Sequence, residues 1–191
     1  MSPRAGSGRL LAVKQKLVFD YTMQSLLRVL GQPISPGHRT GLAALGVDPG
    51  QALLPAYPIE TYSAVMGFIT GQRWPGLSRD EAGFELGRAF MSAYRETLMG
   101  KAVYSVTRVI GPHRTLERMS RNFRSANNYT ETRLRKVGPS TYELWFNHAL
   151  STGYFRGLLT EALDKVGTPG LSVTLASSAS GEATFRITWK E

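Results

Sequence analysis

Tyr129-Thr-Glu-Thr-Arg-Leu-Arg-Lys-Val137 and Thr141-Tyr-Glu-Leu-Trp-Phe146, separated by Gly138-Pro-Ser140, are the segments on which the reading of the fold turns. Upstream of them apolar residues recur at helical spacing. Here β-branched and aromatic residues dominate on either side of a Gly-Pro-Ser turn, which predicts an antiparallel hairpin. Further along, Leu158, Leu159, Ala162, Leu163 and Val166 restore the helical period, and Gly167 and Pro169 close it. Two more β-favouring runs, Leu171 to Ala176 and Ala183 to Trp189, flank a Ser/Gly-rich turn. The second half therefore reads strand, strand, helix, strand, strand.

The first half reads as helices. Met23, Leu26, Leu27 and Leu30 share one face of a short helix that Asp20 or Thr22 caps and Gly31 with Pro33 stops. Five prolines between Pro33 and Pro58 leave room for only one helical turn, over Arg39 to Leu45. Tyr62, Val65, Met66 and Ile69 predict the next helix, ending near Gly71. Ser78 followed by Glu81 is a capping box, which opens a helix after Trp74-Pro-Gly76 that can run to Met99. Gly83 and Gly87, four apart in it, allow another backbone to approach closely; a second copy of the chain is the expected neighbour, giving a homodimer. A helix over Lys101 to Ile110 ends at Gly111-Pro112, and a short one follows from Thr115 to about Asn122. The class these elements predict is α+β, an N-terminal helical half packed on a small antiparallel sheet of about four strands, two hairpins separated by a helix.

The 191 residues, with 42% hydrophobic and 19% charged content, fit a flexible arm over 1–9 and a single α+β domain over 10–191. A chain of that length buries roughly 70% of its unfolded surface, so its core needs no staple. The absence of Cys excludes a disulfide framework, a thiolate nucleophile, Cys-ligated zinc and a self-ligated iron–sulfur cluster. No apolar run reaches the ~18 residues of a membrane span, and residues 1–8 lack a signal peptide's apolar region, so a soluble, cytoplasmic protein is expected.

The net charge of +9 points to an anionic partner, and it is concentrated. Between residues 113 and 136, Arg114, Arg118, Arg121, Arg124, Arg133, Arg135 and Lys136 stand against Glu117 and Glu131, supplying +5 of the total. On a helix Arg114, Arg118 and Arg121 fall on one face, a geometry suited to phosphate or carboxylate. Asn127 and Asn128 add amide donors and acceptors. The binding set expected from this stretch is Arg114, Arg118, Arg121, Arg124, Asn127, Asn128 and Arg133. Of these, Arg118 and Arg121 are expected to be tied into the structure by the inward stripe of Leu116, Met119 and Phe123, and Arg114, Arg124 and Arg133 to be exposed. The opposing reading makes the row a solvated face paired with acids such as Glu81 or Glu85.

Three histidines, His38, His113 and His148, lie too far apart for a local metal-binding pattern. No nucleophile elbow, phosphate loop or dinucleotide fingerprint is present, and no acid–base pair stands out, so no catalytic residue is assigned and the chain is read as a non-enzyme. Tyr57, Tyr62, Phe68, Trp74, Phe84, Phe90, Tyr94 and Tyr104 crowd the helical half, as core or as the lining of a lipophilic pocket.

The strings Leu54-Pro-Ala-Tyr-Pro-Ile-Glu-Thr-Tyr62, Trp74-Pro-Gly-Leu-Ser78, Gly111-Pro-His-Arg-Thr-Leu-Glu-Arg-Met-Ser-Arg-Asn-Phe-Arg124, Asn127-Asn-Tyr-Thr-Glu-Thr-Arg133 and Glu143-Leu-Trp-Phe-Asn147 resemble a myxobacterial family of paralogous proteins of unknown function. The order of elements, with Gly153-Tyr-Phe-Arg-Gly-Leu-Leu159 opening the helix between the hairpins, is similar to the ligand-binding fold of haem nitric oxide sensors, vinyl-reductase-type domains and vesicle-tethering small subunits. That resemblance implies a sensory or regulatory domain that binds a small molecule or docks a protein, with a pocket between helices and sheet. The alternative function is nucleic-acid or nucleotide binding through the basic 114–136 segment. The haem branch of the fold carries a Tyr-x-Ser-x-Arg motif near the second strand of the first hairpin, where this chain reads Leu144-Trp-Phe-Asn-His-Ala-Leu-Ser-Thr152. No cofactor is expected, and His113 is the one candidate for an axial haem ligand.

Overall fold

The hairpin that decides the class forms as β3 (Thr132–Gly138) and β4 (Thr141–Phe146), paired antiparallel with Leu134 opposite Leu144. β4 shows why the pattern is legible. Tyr142, Leu144 and Phe146 are buried on one face while Thr141, Glu143 and Trp145 stay on the other. A bulge between Lys136 and Gly138 turns Val137 out, 42% exposed. β5 (Ser172–Ala179) and β6 (Glu182–Thr188) complete an antiparallel sheet in the order β3-β4-β6-β5, and Ala183, Phe185 and Ile187 of β6 extend its buried face.

The computed structural model describes residues 14–190, and of residues 98, 99, 103, 104 and 106–109 the backbone alone; the arm expected over 1–9 lies outside the described residues. The helical half comprises α1 (Asp20–Arg28), α2 (Pro36–Ala44), α3 (Ile59–Arg73), α4 (Arg79–Glu96) and α5 (Leu98–Asn122), and α6 (Thr152–Asp164) joins the two hairpins. The capping box forms as its spacing predicts: Ser78 Oγ accepts from the Glu81 amide, and the Glu81 carboxylate accepts from the Ser78 amide. Leu26, Leu42, Val65, Ile69 and Leu86 of the helices and Leu144, Phe146, Leu159, Phe185 and Ile187 of the second half share one core. Each such side chain contributes roughly 1.5–3 kcal/mol by leaving water.

Several boundaries differ from the sequence reading: β3 begins at Thr132 instead of Tyr129 and β5 runs on to Ala179 instead of Ala176, and among the helices the reasons are local. α4 stops at Glu96 instead of Met99 because Thr97 is extended and caps the next helix, its hydroxyl accepting from the Gly100 amide. α5 consequently starts at Leu98 and reaches Asn122, its ladder interrupted where the Gly111-Pro112 pair predicts an end: Gly111 sits at φ +73°. α2 begins at Pro36, since Ser35 caps it through the His38 amide. α6 starts at Thr152, a turn and a half before the apolar period begins, with Ser151 as its cap. Two three-residue strands escape the sequence pattern altogether, β1 (Leu17–Phe19) and β2 (Ala56–Pro58), paired antiparallel across the helical half. No described helix is long and apolar enough to cross a membrane.

Candidate functional site

The frame of the site is a pair of helices pressed together by glycine. Gly83 and Gly87 of α4 face Gly153 and Gly157 of α6, and Asp80, Phe84 and Arg88 meet Gly153, Gly157 and Glu161 in turn, so the two helices run side by side in the same direction. A Cβ on Gly87 would overlap the Tyr154 carbonyl oxygen, one on Gly157 the Phe84 carbonyl, and one on Gly153 the Asp80 carbonyl. The backbone that Gly83 and Gly87 admit is therefore α6 of the same chain, and this face is not free for a second copy. Around this contact Glu161 is buried with Arg88 at 3.3 Å, Lys165 at 3.6 Å and Arg95 at 3.8 Å, while Arg156 and Thr152 reach Asp80. Gly153 and Gly157 stand outside every site residue named from sequence, although their four-residue spacing repeats that of Gly83 and Gly87.

Further along α4 toward its C-terminal end, where α1 and the end of α5 approach it, lies an apolar cleft of about 120 Å³. Thr22, Phe90, Met91, Met119, Phe123 and Ala126 form its walls, with Tyr21, Tyr94 and Asn122 bringing polar groups to it. Phe90 and Tyr94 belong to the aromatic set read from sequence; Tyr57 and Tyr62 of that set are core. Burial pushes the Tyr21 phenol above its ordinary range and does the same to Tyr94, whose phenol the neighbouring Tyr21 raises further. Both hydroxyls are thus neutral donors over the physiological range. Met119 was read from sequence as part of an inward stripe, and Tyr21 falls outside the stripe read on α1.

The arginine row stands on α5 beyond the Gly111 break. Arg114, Arg118 and Arg121 are all exposed, as are Arg124 and Arg133. Arg118 and Arg121 were expected to be structural; instead Thr115, Leu116, Met119 and Phe123 turn inward and carry no arginine with them. Among the described residues no ion pair engages Arg114, Arg118, Arg121 or Arg124, and Glu81 is occupied by Ser78. Arg133 lies over the Trp145 ring at 4.7 Å, and Arg135 shares Glu143 with Arg186. The two asparagines of the expected set hold backbone: Asn127 Oδ1 accepts from the amides of Tyr129 and Thr130, and Asn128 accepts from Leu17 and donates to the Gln15 carbonyl. The structure keeps Arg114, Arg118 and Arg121 on one helix face, while Asn127 turns its own loop and Asn128 fastens the chain at β1.

His113 lies in α5 just past the break, its Nδ1 2.9 Å from the Tyr142 hydroxyl and its ring 4.8 Å from that of Trp189. His38 sits edge-on to Phe68. His148 is half-buried beside Lys16. Among the described residues no three of His, Asp and Glu converge as metal ligands do. Deeper in, Tyr62 and Tyr154 meet hydroxyl to hydroxyl at 3.2 Å in full burial, which drives both phenols far above their ordinary range.

A family model described as a protein of unknown function (DUF2378) matches residues 16–190. No curated protein matches the chain. Among solved structures, an oxygen-binding H-NOX domain related to soluble guanylate cyclases is similar at a TM-score of 0.68 and 15% identity, over 88% of this chain and 93% of that one. A structure described under modulation of heme redox potential by porphyrin distortion is similar at 0.69 and 14%, over 88% and 93%. An Fe(II) unliganded H-NOX protein from K. algicida is similar at 0.62 and 9%, over 89% and 95%. These likenesses establish the fold.

The α1–α4–α5 cleft and the packed space between helices and sheet do not fit the haem that this fold family implies. The rings of Phe123, Phe146, Phe155 and Phe185 fill the space between helices and sheet at centroid separations of 4.6–6.2 Å. The cleft, at about 120 Å³, falls well short of the ~300 Å³ at which pockets for larger ligands begin. His113 is committed to Tyr142 and Trp189, away from that cleft's walls.

Proposed function

The chain belongs to the DUF2378 family of proteins of unknown function, and from that membership and its H-NOX-like fold we propose that it is a haem-free, non-enzymatic sensory or regulatory domain. It binds a small molecule in the α1–α4–α5 cleft and contacts an anionic partner through Arg114, Arg118 and Arg121, with Arg124 and Arg133 alongside. The observation that supports this reading is the cleft itself, apolar walls with two neutral phenols and one carboxamide brought to them. A dry cavity of ~150 Å³ is enough to take up benzene, so a cleft of about 120 Å³ suits a ligand no larger than one ring or a short alkyl chain. The polar groups then orient that ligand by its single polar end.

Native mass spectrometry of protein purified without added ligand tests the reading, together with uptake of phenol by the stripped protein. Retained or added compact molecules are expected to protect the cleft, and Ala126→Trp, which fills it, is expected to abolish uptake. A Soret band in the purified protein, or uptake unchanged in Ala126→Trp, would overturn the assignment.

A further inference from the structure

A wider groove, of about 840 Å³, opens on a different part of the surface. Its walls are the first two turns of α3, the chain entering β1 and the loop between β4 and α6. Ile59, Ala64 and Leu150 line it with carbon, and Lys14, Lys16 and His148 line it with cationic and hydrogen-bonding nitrogen; Ser63 adds a hydroxyl and Glu60 the one carboxylate. Volumes of ~300–1,000 Å³ are those of pockets that take metabolite-sized ligands.

The polar end of this groove is held in place by backbone. The Lys16 carbonyl accepts from the Ile59 amide at 3.0 Å, and Asn128 grips both neighbours of Lys16, donating to the Gln15 carbonyl at 3.0 Å and accepting from the Leu17 amide at 2.8 Å. On the opposite wall the Ala149 amide donates to the Gly181 carbonyl at 2.7 Å, and Asn147 bridges the Tyr129 carbonyl and the Glu131 amide. Between these clamps Lys16 Nζ lies 3.3 Å from His148 Nδ1, with the Tyr129 ring packed edge-on against the imidazole at 5.5 Å. An ammonium has only donors, so Nδ1 accepts and the imidazole proton resides on Nε2. One corner therefore presents an ammonium, steadied by the imidazole, next to an apolar floor.

We propose that this groove binds a small amphiphilic carboxylate, its head on the Lys16 ammonium, which keeps donors free beside its contact to His148, and its hydrocarbon along Ile59, Ala64 and Leu150. The head and tail chemistry match the two halves of the lining, since an ammonium recognises a carboxylate by a charge-assisted hydrogen bond and the floor removes alkyl surface from water. Burial, and then the charge of Lys16, hold the His148 imidazolium below its ordinary range, so an arriving anion relieves the Lys16 field and raises the proton affinity of the ring. The site is separate from the α1–α4–α5 cleft and does not depend on what fills that cleft.

The test is calorimetric titration of the full chain with decanoate, with decanol as a tail lacking the charge and inorganic phosphate as an anion lacking the tail. Imidazole NMR is read in parallel, where only three histidines need be resolved. Decanoate is expected to bind, and to move the His148 resonance and raise its titration midpoint while leaving His38 and His113 unmoved. Decanol and phosphate are expected to bind at least about tenfold more weakly, as loss of a charged hydrogen bond or of the apolar contact requires. Lys16→Met should weaken decanoate by a similar factor, and Lys16→Arg should restore most of it; Lys16 is an exposed side chain, so both variants keep the fold. No binding of decanoate, equal binding of decanol, or undiminished affinity in Lys16→Met each overturns the proposal. So does a groove already filled by residues 1–13 of the chain, read as decanoate binding that appears only after limited proteolysis removes them.

Discussion

At the scale of single residues the glycines divide into two kinds that sequence cannot tell apart. Gly67 and Gly87 both lie inside long helices, yet a Cβ at Gly67 would meet nothing within 4 Å while one at Gly87 would collide with the backbone of α6. Gly67→Ala is therefore expected to stabilise by ~0.5–1 kcal/mol, because alanine restricts the unfolded chain and suits a helix. Gly87→Ala and Gly157→Ala are expected to cost ~3 kcal/mol or more, since the helices must part to make room and α4 carries its core residues with it. Thermal or denaturant midpoints of the three variants decide the matter; equal effects at Gly67 and Gly87 would contradict the close contact. The same division explains what was legible. A four-residue glycine spacing announces close approach of something, and only the fold says that it is Tyr154 and Leu158 rather than another molecule.

Among elements, α5 concentrates both what the sequence declares and what it hides. Its break at Gly111 and the inward stripe of Leu116, Met119 and Phe123 follow from spacing alone, because both are local properties. The place of the arginines does not, since a row at i, i+4 and i+7 is consistent with a solvated face or with pairing to distant acids, and which acids lie near is a matter of tertiary contact. The role of Asn128 was illegible for the same reason: its partners at Gln15 and Leu17 are more than a hundred residues away, beside a strand too short to show a period. With Arg114, Arg118 and Arg121 exposed, the triple alanine variant is expected to melt within a degree or two of the parent, since exposed charges contribute ~0–1 kcal/mol each. It should lose anionic-partner binding, with Arg114 and Arg118 coupling non-additively if one anion spans both. The measurement is one melt and one titration against an acidic peptide, repeated with duplex DNA across salt. A variant that keeps its melting point and every binding activity removes the row from the function; a parent protein that binds DNA far more tightly than peptide, with log K linear in log salt, and a variant that loses that binding favour the nucleic-acid reading.

The molecule as a whole responds to pH through groups whose partners come from different parts of the chain. At the acid end, the Arg186 and Arg135 guanidiniums hold the Glu143 carboxyl below the usual carboxylate range, and burial with Lys16 holds His148 low. Each group binds protons more readily in the unfolded chain, so its stabilisation is present above its ordinary pKa and is lost as pH falls through the histidine range and then the carboxylate range. Glu143 and its partners are solvated, and this limb should be shallow. At the alkaline end the sign reverses. Burial keeps Tyr62 and Tyr154 neutral far beyond the ordinary phenol range and pushes Tyr129 up to about 12, so the folded chain retains protons that the unfolded chain releases near pH ~10. Stability is then complete below about 10 and falls as pH rises toward 12, the range set by Tyr129, with Tyr62 and Tyr154 continuing the decline above it. Because these phenols sit where the helical half meets α6, their ionisation should be visible as cooperative unfolding, with phenolate absorbance and loss of helix appearing together. Tyr62→Phe with Tyr154→Phe removes both ends of one hydrogen bond and leaves no orphaned partner, so it should cost little at neutral pH and flatten the alkaline limb. An alkaline limb as steep in that double variant as in the parent would place the sensitivity elsewhere and separate the buried pair from the stability of the fold.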